Sequence, residues 1–312
     1  MLGYTLCAMS RDRLRLPVGA LGALLVAVAA VFIVWRVAFF SAMPRTLTHL
    51  SFDSPEASFA LSSDGNAVAY AVVYGDDPQL FVRRLDGSRP HHLPGTEGAA
   101  EPFFSPDGER LGFRRSGRIE VVPTSGAEPD VLCELRNGFG ARWTESGILF
   151  GTDAGLIRVS ETGREEALTS LAENETAHRF PEAVPGTAGT EWIVFEVRTD
   201  TGEAPRLDVV STTTGERRTI LESGAMPRYA STGDLLFRRE GSLWAVPFDT
   251  NEAEISGAPV LAIEAVGLWY DVSMNGTLAF EHPRRGDEPI IVSVVVHWFE
   301  ELKRLAPHGK GA

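Results

Sequence analysis

Along most of this chain the apolar residues come in short runs, each standing just behind a turn signal. The turns are Ser62-Ser63-Asp64-Gly65, Ser105-Pro106-Asp107-Gly108, Glu145-Ser146-Gly147, Val184-Pro185-Gly186, Ser231-Thr232-Gly233 and Met274-Asn275-Gly276. Their glycines are spaced 43, 39, 39, 47 and 43 residues apart. Asp-Gly and Asn-Gly supply the positive φ that a tight hairpin turn needs. The runs behind them are Ala67-Val68-Ala69-Tyr70, Leu111-Gly112-Phe113, Ile148-Leu149-Phe150, Trp192-Ile193-Val194-Phe195, Leu235-Leu236-Phe237 and Leu278-Ala279-Phe280. Each has strand length, strand-favouring residues and no helical period. A second run follows in every repeat, over residues 79–82, 118–122, 155–159, 206–210, 242–246 and 289–292. Most of these alternate between apolar and other residues, as half-buried strands do. Further turns at Asp86-Gly87, Ser125-Gly126, Thr162-Gly163 and Thr214-Gly215 then lead into third short strands over 129–132, 166–168 and 219–221.

A period of 40–45 residues with four short strands per unit is the signature of a β-propeller blade. Six such units fill residues 46–312, so the expected fold is all-β, a six-bladed β-propeller. A ring must also close. After Val296 no further turn-and-strand pair follows, so the last blade lacks an outer strand. The segment Thr46-Leu47-Thr48-His49-Leu50-Ser51-Phe52 can supply it, paired with residues near 290–298, which would remove an exposed sheet edge.

One stretch breaks the pattern. Residues 16–35 carry no charge, and 20 residues of helix span about 30 Å, the hydrocarbon thickness. Its length exceeds a signal-peptide core, and Ser41-Ala42-Met43 after Phe39-Phe40 is a poor cleavage site. One N-terminal transmembrane helix over 16–40 is therefore expected, with 1–15 as a short cytoplasmic N-terminus and 41–312 as the propeller. Arg11, Arg13 and Arg15 precede the span and only Arg36 follows closely, which places the N-terminus in the cytoplasm and the propeller outside. Cys7 and Cys133 then lie on opposite sides and cannot pair.

Charge divides along the same boundary. The first 45 residues hold five arginines and one aspartate, a net of +4; the other 267 carry 24 basic and 41 acidic groups, a net of −17. Such a body repels phosphate backbones, which argues against a nucleic-acid partner.

The runs Phe103-Phe104-Ser105-Pro106-Asp107-Gly108-Glu109-Arg110-Leu111-Gly112-Phe113 and Leu61-Ser62-Ser63-Asp64-Gly65-Asn66-Ala67-Val68-Ala69-Tyr70 resemble the WD40-like Pro-Asp repeat of TolB-type propellers. The body over about residues 44–305 is similar to the extracytoplasmic propeller of bacterial receptor-like serine/threonine kinases. Pro94-Gly95-Thr96-Glu97-Gly98, His178-Arg179-Phe180-Pro181 and the tail Val296-His297-Trp298-Phe299-Glu300-Glu301-Leu302-Lys303-Arg304-Leu305 carry that likeness. Ser63 replaces the repeat's proline, and the third, fifth and sixth turns depart from it. The resemblance implies a kinase domain ahead of the helix. The 15 residues there are too few for one, and no Gly-rich phosphate loop, catalytic His-Arg-Asp or metal-binding Asp-Phe-Gly occurs. Gly138-Phe139-Gly140 is the nearest approach to a phosphate loop and reads as a strand entry.

Other chemical candidates are few. No Gly-x-Ser-x-Gly elbow occurs. His91-His92, being adjacent, would face opposite ways on a strand and read as a surface turn. His178 reads as a hydrogen-bonded structural residue. Asp64, Asp107 and Asp234 read as turn residues that cap nearby N–H groups. Phe104, Trp143, Phe150, Trp192, Phe195, Phe237, Trp244 and Phe280 read as packing between blades. Asn174-Glu175-Thr176 and Asn275-Gly276-Thr277 match the glycosylation pattern, which matters only in a eukaryotic secretory setting. No catalytic, cofactor-binding or metal-ligating residue is expected. The reading is a non-catalytic, membrane-anchored module that binds a protein, peptide or cell-envelope ligand at a propeller face. The alternatives are the sensor part of a split or truncated receptor kinase, and an enzyme with its site at the channel mouth.

Overall fold

Two hairpin turns of one design show how the sequence builds this fold. In the first, Ser62 Oγ donates to Asp64 Oδ1 (2.6 Å), Asn66 N–H donates to the same oxygen (3.0 Å), and Ala67 N–H donates back to Ser62 Oγ (2.9 Å). Ser105, Asp107, Glu109 and Arg110 repeat these bonds at 2.5, 3.0 and 2.9 Å. Gly65 and Gly108 take the positive φ that the turn requires, +64° and +73°. The last turn keeps the design with an amide in place of the carboxylate: Ser273 Oγ donates to Asn275 Oδ1 (2.6 Å), and Thr277 N–H donates to Ser273 Oγ (2.9 Å). Its departure from the repeat is one of letters, not of geometry.

The computed structural model describes residues 47–52, 58–186, 191–284, 286 and 288–306, and residues 45–312 form one compact unit. The chain begins with β1 (Leu47–Phe52). A four-stranded meander follows, β2 (Ser58–Leu61), β3 (Ala67–Tyr74), β4 (Asp77–Arg84) and β5 (His91–His92). The next is β6 (Ala100–Phe104), β7 (Arg110–Arg115), β8 (Arg118–Pro123) and β9 (Asp130–Glu134). Two more meanders are β10 (Gly138–Thr144), β11 (Gly147–Thr152), β12 (Gly155–Val159) and β13 (Glu165–Ala167), then β14 (Glu175–Pro185), β15 (Glu191–Thr199), β16 (Arg206–Ser211) and β17 (Arg217–Leu221). A single pairing, Thr152 with His178, joins them into one eight-stranded sheet. In the next sheet β18 (Ala225–Ala230) pairs with β19 (Asp234–Arg239) and β19 with β20 (Ser242–Asp249). Both β21 (Glu254–Ile255) and β22 (Val260–Ile263) lie along β20. The last contains β23 (Tyr270–Val272), β24 (Leu278–Glu281) and β25 (Ile290–Val295), and its fourth strand is β1.

The closing strand therefore comes from the other end of the chain, as the sequence led us to expect. β1 runs antiparallel to β25 from Leu47 opposite Val295 to Phe52 opposite Ile290. Leu50 is buried with Phe59 and Val68 of the first sheet and with Ile290, Val292 and Val294 of the last. The other cores likewise lie between successive sheets. One holds Leu80, Leu93, Leu111 and Phe113; another holds Phe103, Trp143, Ile148 and Phe150. Leu149 and Leu156 meet Ile193 and Phe195, and Val194 and Leu207 meet Leu235 and Phe237. Gly112 explains one tight fit, because a Cβ there would stand 2.2 Å from the Phe103 ring.

One expectation is corrected. His91 and His92 form the edge strand β5 opposite Val82 and Phe81, not a surface turn, and the ring of His92 lies 5.1 Å from that of Phe81. Trp192 and Trp244 pack, partly buried, against the core between two successive sheets as expected, and each carries an arginine over its ring, Arg218 at 5.5 Å and Arg239 at 4.2 Å. The tail after Val296 forms a helix, α1 (Phe299–Leu305), which buries Phe299 and Leu302 against Leu243, Tyr270 and Leu278. Among the described residues no helix is long and apolar enough to cross a membrane, and the helix expected over residues 16–40 lies outside them.

Candidate binding site at the mouth of the channel

The first strand of each meander borders a common cavity of about 460 Å³. Phe59 of β2, Phe103 of β6, Trp143 of β10, Glu182 of β14, Tyr229 of β18 and Tyr270 of β23 all contribute to its wall. Ser63, Pro106, Glu145 and Met274 border it as well, so it opens on the side of the recurring hairpin turns.

Backbone irregularities aim side chains into this space. The register of β6, β10, β14 and β18 slips just before Phe103, at Ala141, and just before Glu182 and Arg228. At each slip one residue takes a left-handed conformation: Glu101, Gly140, Phe180 and Met226, with φ between 49° and 76°. Such bulges rotate the strand and redirect the residues that follow. Proline follows three of them, as Pro102, Pro181 and Pro227, where the ladder is already interrupted and the missing N–H costs little.

Two residues beyond three of these bulges stand Arg142, Glu182 and Arg228, and Asp271 joins them from β23. Arg142 Nη2 donates to Glu182 Oε1 at 2.9 Å, and its Nη1 lies 3.7 Å from Asp271. Arg228 Nε donates to Asp271 Oδ1 at 3.1 Å, and its Nη1 lies 3.7 Å from Glu182 Oε2. The signs alternate around the cavity, and the four charges sum to zero. Burial opposes the charge on Arg228, but Asp271 and Glu182 outweigh it and hold its pKa above the usual arginine value. Burial pushes the Glu182 carboxyl upward against the pull of Arg142 and Arg228.

These groups also tie neighbouring sheets together. Leu61 N–H donates to Asp271 Oδ2 (2.9 Å), Tyr229 N–H to Glu182 Oε1 (3.2 Å), Met226 N–H to Glu196 Oε2 (3.0 Å) and Glu101 N–H to Ser58 Oγ (2.8 Å). Tyr270 OH donates to the Met226 carbonyl. Edge N–H groups of the channel strands are thus answered by side chains from the adjoining sheet, which removes donors that would otherwise be buried unpaired.

No protein-family model matches this chain, and no curated protein matches it by sequence. Solved structures do match. The Dos1 propeller is similar at 10% identity and a TM-score of 0.50, over 75% of this chain and 69% of that one. The fold is a β-propeller. A structure of oligogalacturonate lyase in complex with manganese is similar at 12% identity and a TM-score of 0.50, over 81% of this chain and 97% of that one. TolB from Acinetobacter baumannii is similar at 17% identity and a TM-score of 0.48, over 63% of this chain and 52% of that one.

Of the residues singled out from the sequence, Phe104 and Trp143 line the cavity, and none is one of its four charged groups. His178 is fully buried. Its Nδ1 meets Thr169 Oγ1 at 2.7 Å and its Nε2 meets Glu175 Oε2 at 3.0 Å, the structural role expected of it. Asp64 and Asp107 hold their turns, and Asp234, buried at the start of β19, accepts from Thr232 Oγ1 (2.6 Å). Cys133 is half-buried on β9, where burial raises its pKa to about 11, so it stays a thiol. Among the described residues no group of His, Cys, Asp or Glu is disposed to hold a metal ion. Sequence reasoning missed Arg142, Glu182, Arg228 and Asp271. Their signal was present: each interrupts the apolar stretch ahead of a turn, in Ala141-Arg142-Trp143, Pro181-Glu182-Ala183, Pro227-Arg228-Tyr229 and Tyr270-Asp271-Val272.

Proposed function

We propose that this chain is a non-catalytic recognition module, a six-bladed propeller that takes its ligand at the mouth of the central channel. The observation that carries the reading is the cavity itself. Six first strands converge on it, and Arg142, Glu182, Arg228 and Asp271 present charged groups inside it. A concave, largely apolar space with a few convergent polar groups is the usual form of a ligand site. The carboxylates support binding in preference to proton transfer, because Asp271 has one oxygen on Leu61 N–H and the other on Arg228. Six first strands, each leading into its own meander, and β1 completing the last sheet support the count of six blades.

In this reading residues 16–40 hold the propeller at a bacterial inner membrane, with the N-terminus inside and the propeller in the periplasm. The partner is a protein, peptide or other component of the cell envelope, not nucleic acid, and no cofactor is required. Photo-crosslinking from the full chain in intact cells tests it. A crosslinkable side chain at Ser63 or Met274, on the mouth, is expected to capture an envelope component. The same group at Val131, on the outer strand β9, is expected to capture none. Equal capture from both places would overturn the channel reading.

A further inference from the structure

We infer that the channel mouth selects an uncharged saccharide, read by its hydroxyl groups through Glu182 and Arg142. The inference rests on the proposal that the channel mouth is the binding site.

The first support is unused hydrogen-bonding capacity. Glu182 is 2% exposed, lines the cavity, and its Oε2 receives no hydrogen bond; the nearest cation, Arg228 Nη1, stands 3.7 Å away. Arg142 has five N–H groups and makes one hydrogen bond, to Glu182 Oε1. A buried carboxylate oxygen without a donor is costly, and a ligand that supplies one recovers that cost. An open acceptor and an open donor fork thus lie side by side. A hydroxyl group donates one hydrogen bond and accepts others, so a pair of neighbouring hydroxyls matches both.

The second support is charge. Arg142 and Arg228 alternate with Glu182 and Asp271, while Glu101 is paired with Arg114 and Glu191 with Arg158 (2.9 Å). A cation drawn to Glu182 meets Arg142 and Arg228 at similar range. An anion drawn to Arg142 meets Glu182 and Asp271. Only a neutral group engages both signs without opposing one of them.

The third support excludes an added strand. Extended peptides dock on sheet edges through free backbone groups, but Leu61, Glu101, Met226 and Tyr229 already donate their N–H groups to side chains. Recognition falls to side chains. Phe59, Tyr229 and half-buried Trp269 add rings to the wall, surfaces against which the C–H face of a sugar packs.

The test uses the full chain in a detergent without sugar headgroups, titrated by calorimetry and saturation-transfer NMR. The probes are neutral di- and trisaccharides of gluco, galacto and N-acetylglucosamine type, trigalacturonate, a chitosan trimer and acetyl-tetraalanine amide. At least one neutral saccharide is expected to bind, and the acidic, cationic and peptide probes to bind more weakly. Glu182→Gln and Arg142→Met should each weaken that binding about tenfold or more, the loss expected for one charge-assisted hydrogen bond. Arg142 is part-exposed, so its substitution reports on the site even if the Glu182 variant loses its fold, which melting curves will show. Saccharide binding unchanged in a folded Arg142→Met variant overturns the inference, as does preference for the peptide or for either charged trimer. If no neutral saccharide binds while crosslinking from Ser63 and Met274 persists, the saccharide assignment falls and the channel reading stands. If that crosslinking is also absent, both fall.

Discussion

Two buried charge clusters in this propeller are built from the same residue types and behave differently. One lies among β14, β16 and β17. Glu175, whose side chain is 3% exposed, accepts from Arg206, from both terminal nitrogens of Arg217 and from Ala172 N–H, and its Oε2 meets His178. Asp208 beside it accepts from Arg206, Arg217 and Thr219. Burial works against ionisation of Glu175, but the bonds to Arg217, Ala172 and His178 prevail and hold its pKa at about 2. The other cluster is the channel set, where Glu182 keeps an oxygen without a donor and has its pKa raised by burial. The lesson is one of completeness. A buried charged network whose acceptors are satisfied holds structure together, whereas one left partly open at a cavity is disposed to take a ligand.

The largest test of that contrast removes neither cluster. A fragment beginning at residue 53 keeps both clusters but loses β1, its ladder to β25 and the burial of Leu50. Against a fragment beginning at residue 45, its melting should show a loss approaching the whole stability of a domain, about 5–15 kcal/mol. Equal melting of the two would mean that closure by β1 is not needed and that the clusters suffice.

Within the clusters, Glu175→Ala should be the more damaging change. It leaves Arg206 and Arg217 largely buried beside a single carboxylate, at a cost of about 3–5 kcal/mol in chemical denaturation. A smaller effect than that of Glu182→Gln would reverse the ranking proposed for the two clusters.

Acid should act through the same residue. The pKa of Glu175 is lowered in the fold, so its contribution is complete above the unfolded value near 4.5 and is lost as pH falls toward about 2. The stability of Glu175→Gln should therefore depend less on pH than that of the parent between about pH 5 and pH 2. Parallel curves would remove Glu175 from the account. The smallest expected effect is that of Arg142→Met on stability, about 1 kcal/mol or less, since the side chain is part-exposed and Glu182 keeps Arg228 and Tyr229 N–H. A large loss would mean that Arg142 holds the fold as Arg217 does.

Most of the architecture was legible because it is local and repeats. A Ser-x-Asp-Gly turn closes its hydrogen bonds within five residues, and apolar runs behind such turns can only be strands. Even the long-range pairing of residues 47–52 with 290–295 could be read, because a ring that lacks one strand has one place for a spare strand to go. The helix at Phe299–Leu305 was hidden, since seven residues make too little periodic signal. His91 and His92 were misplaced because a two-residue edge strand has no pattern of its own.

The sequence by itself determined the repeat, the strands, their turns and the closure, since each depends on neighbours in the chain or on a count of strands. Only the tertiary structure decided the site. Arg142, Glu182, Arg228 and Asp271 stand 40, 46 and 43 residues apart, and no local interaction links them. They meet because successive first strands face one channel, and their signs alternate because neighbouring charges buried a few ångströms apart must be opposite. That alternation leaves no repeat in the sequence: the position recurs from blade to blade while the residue that fills it changes.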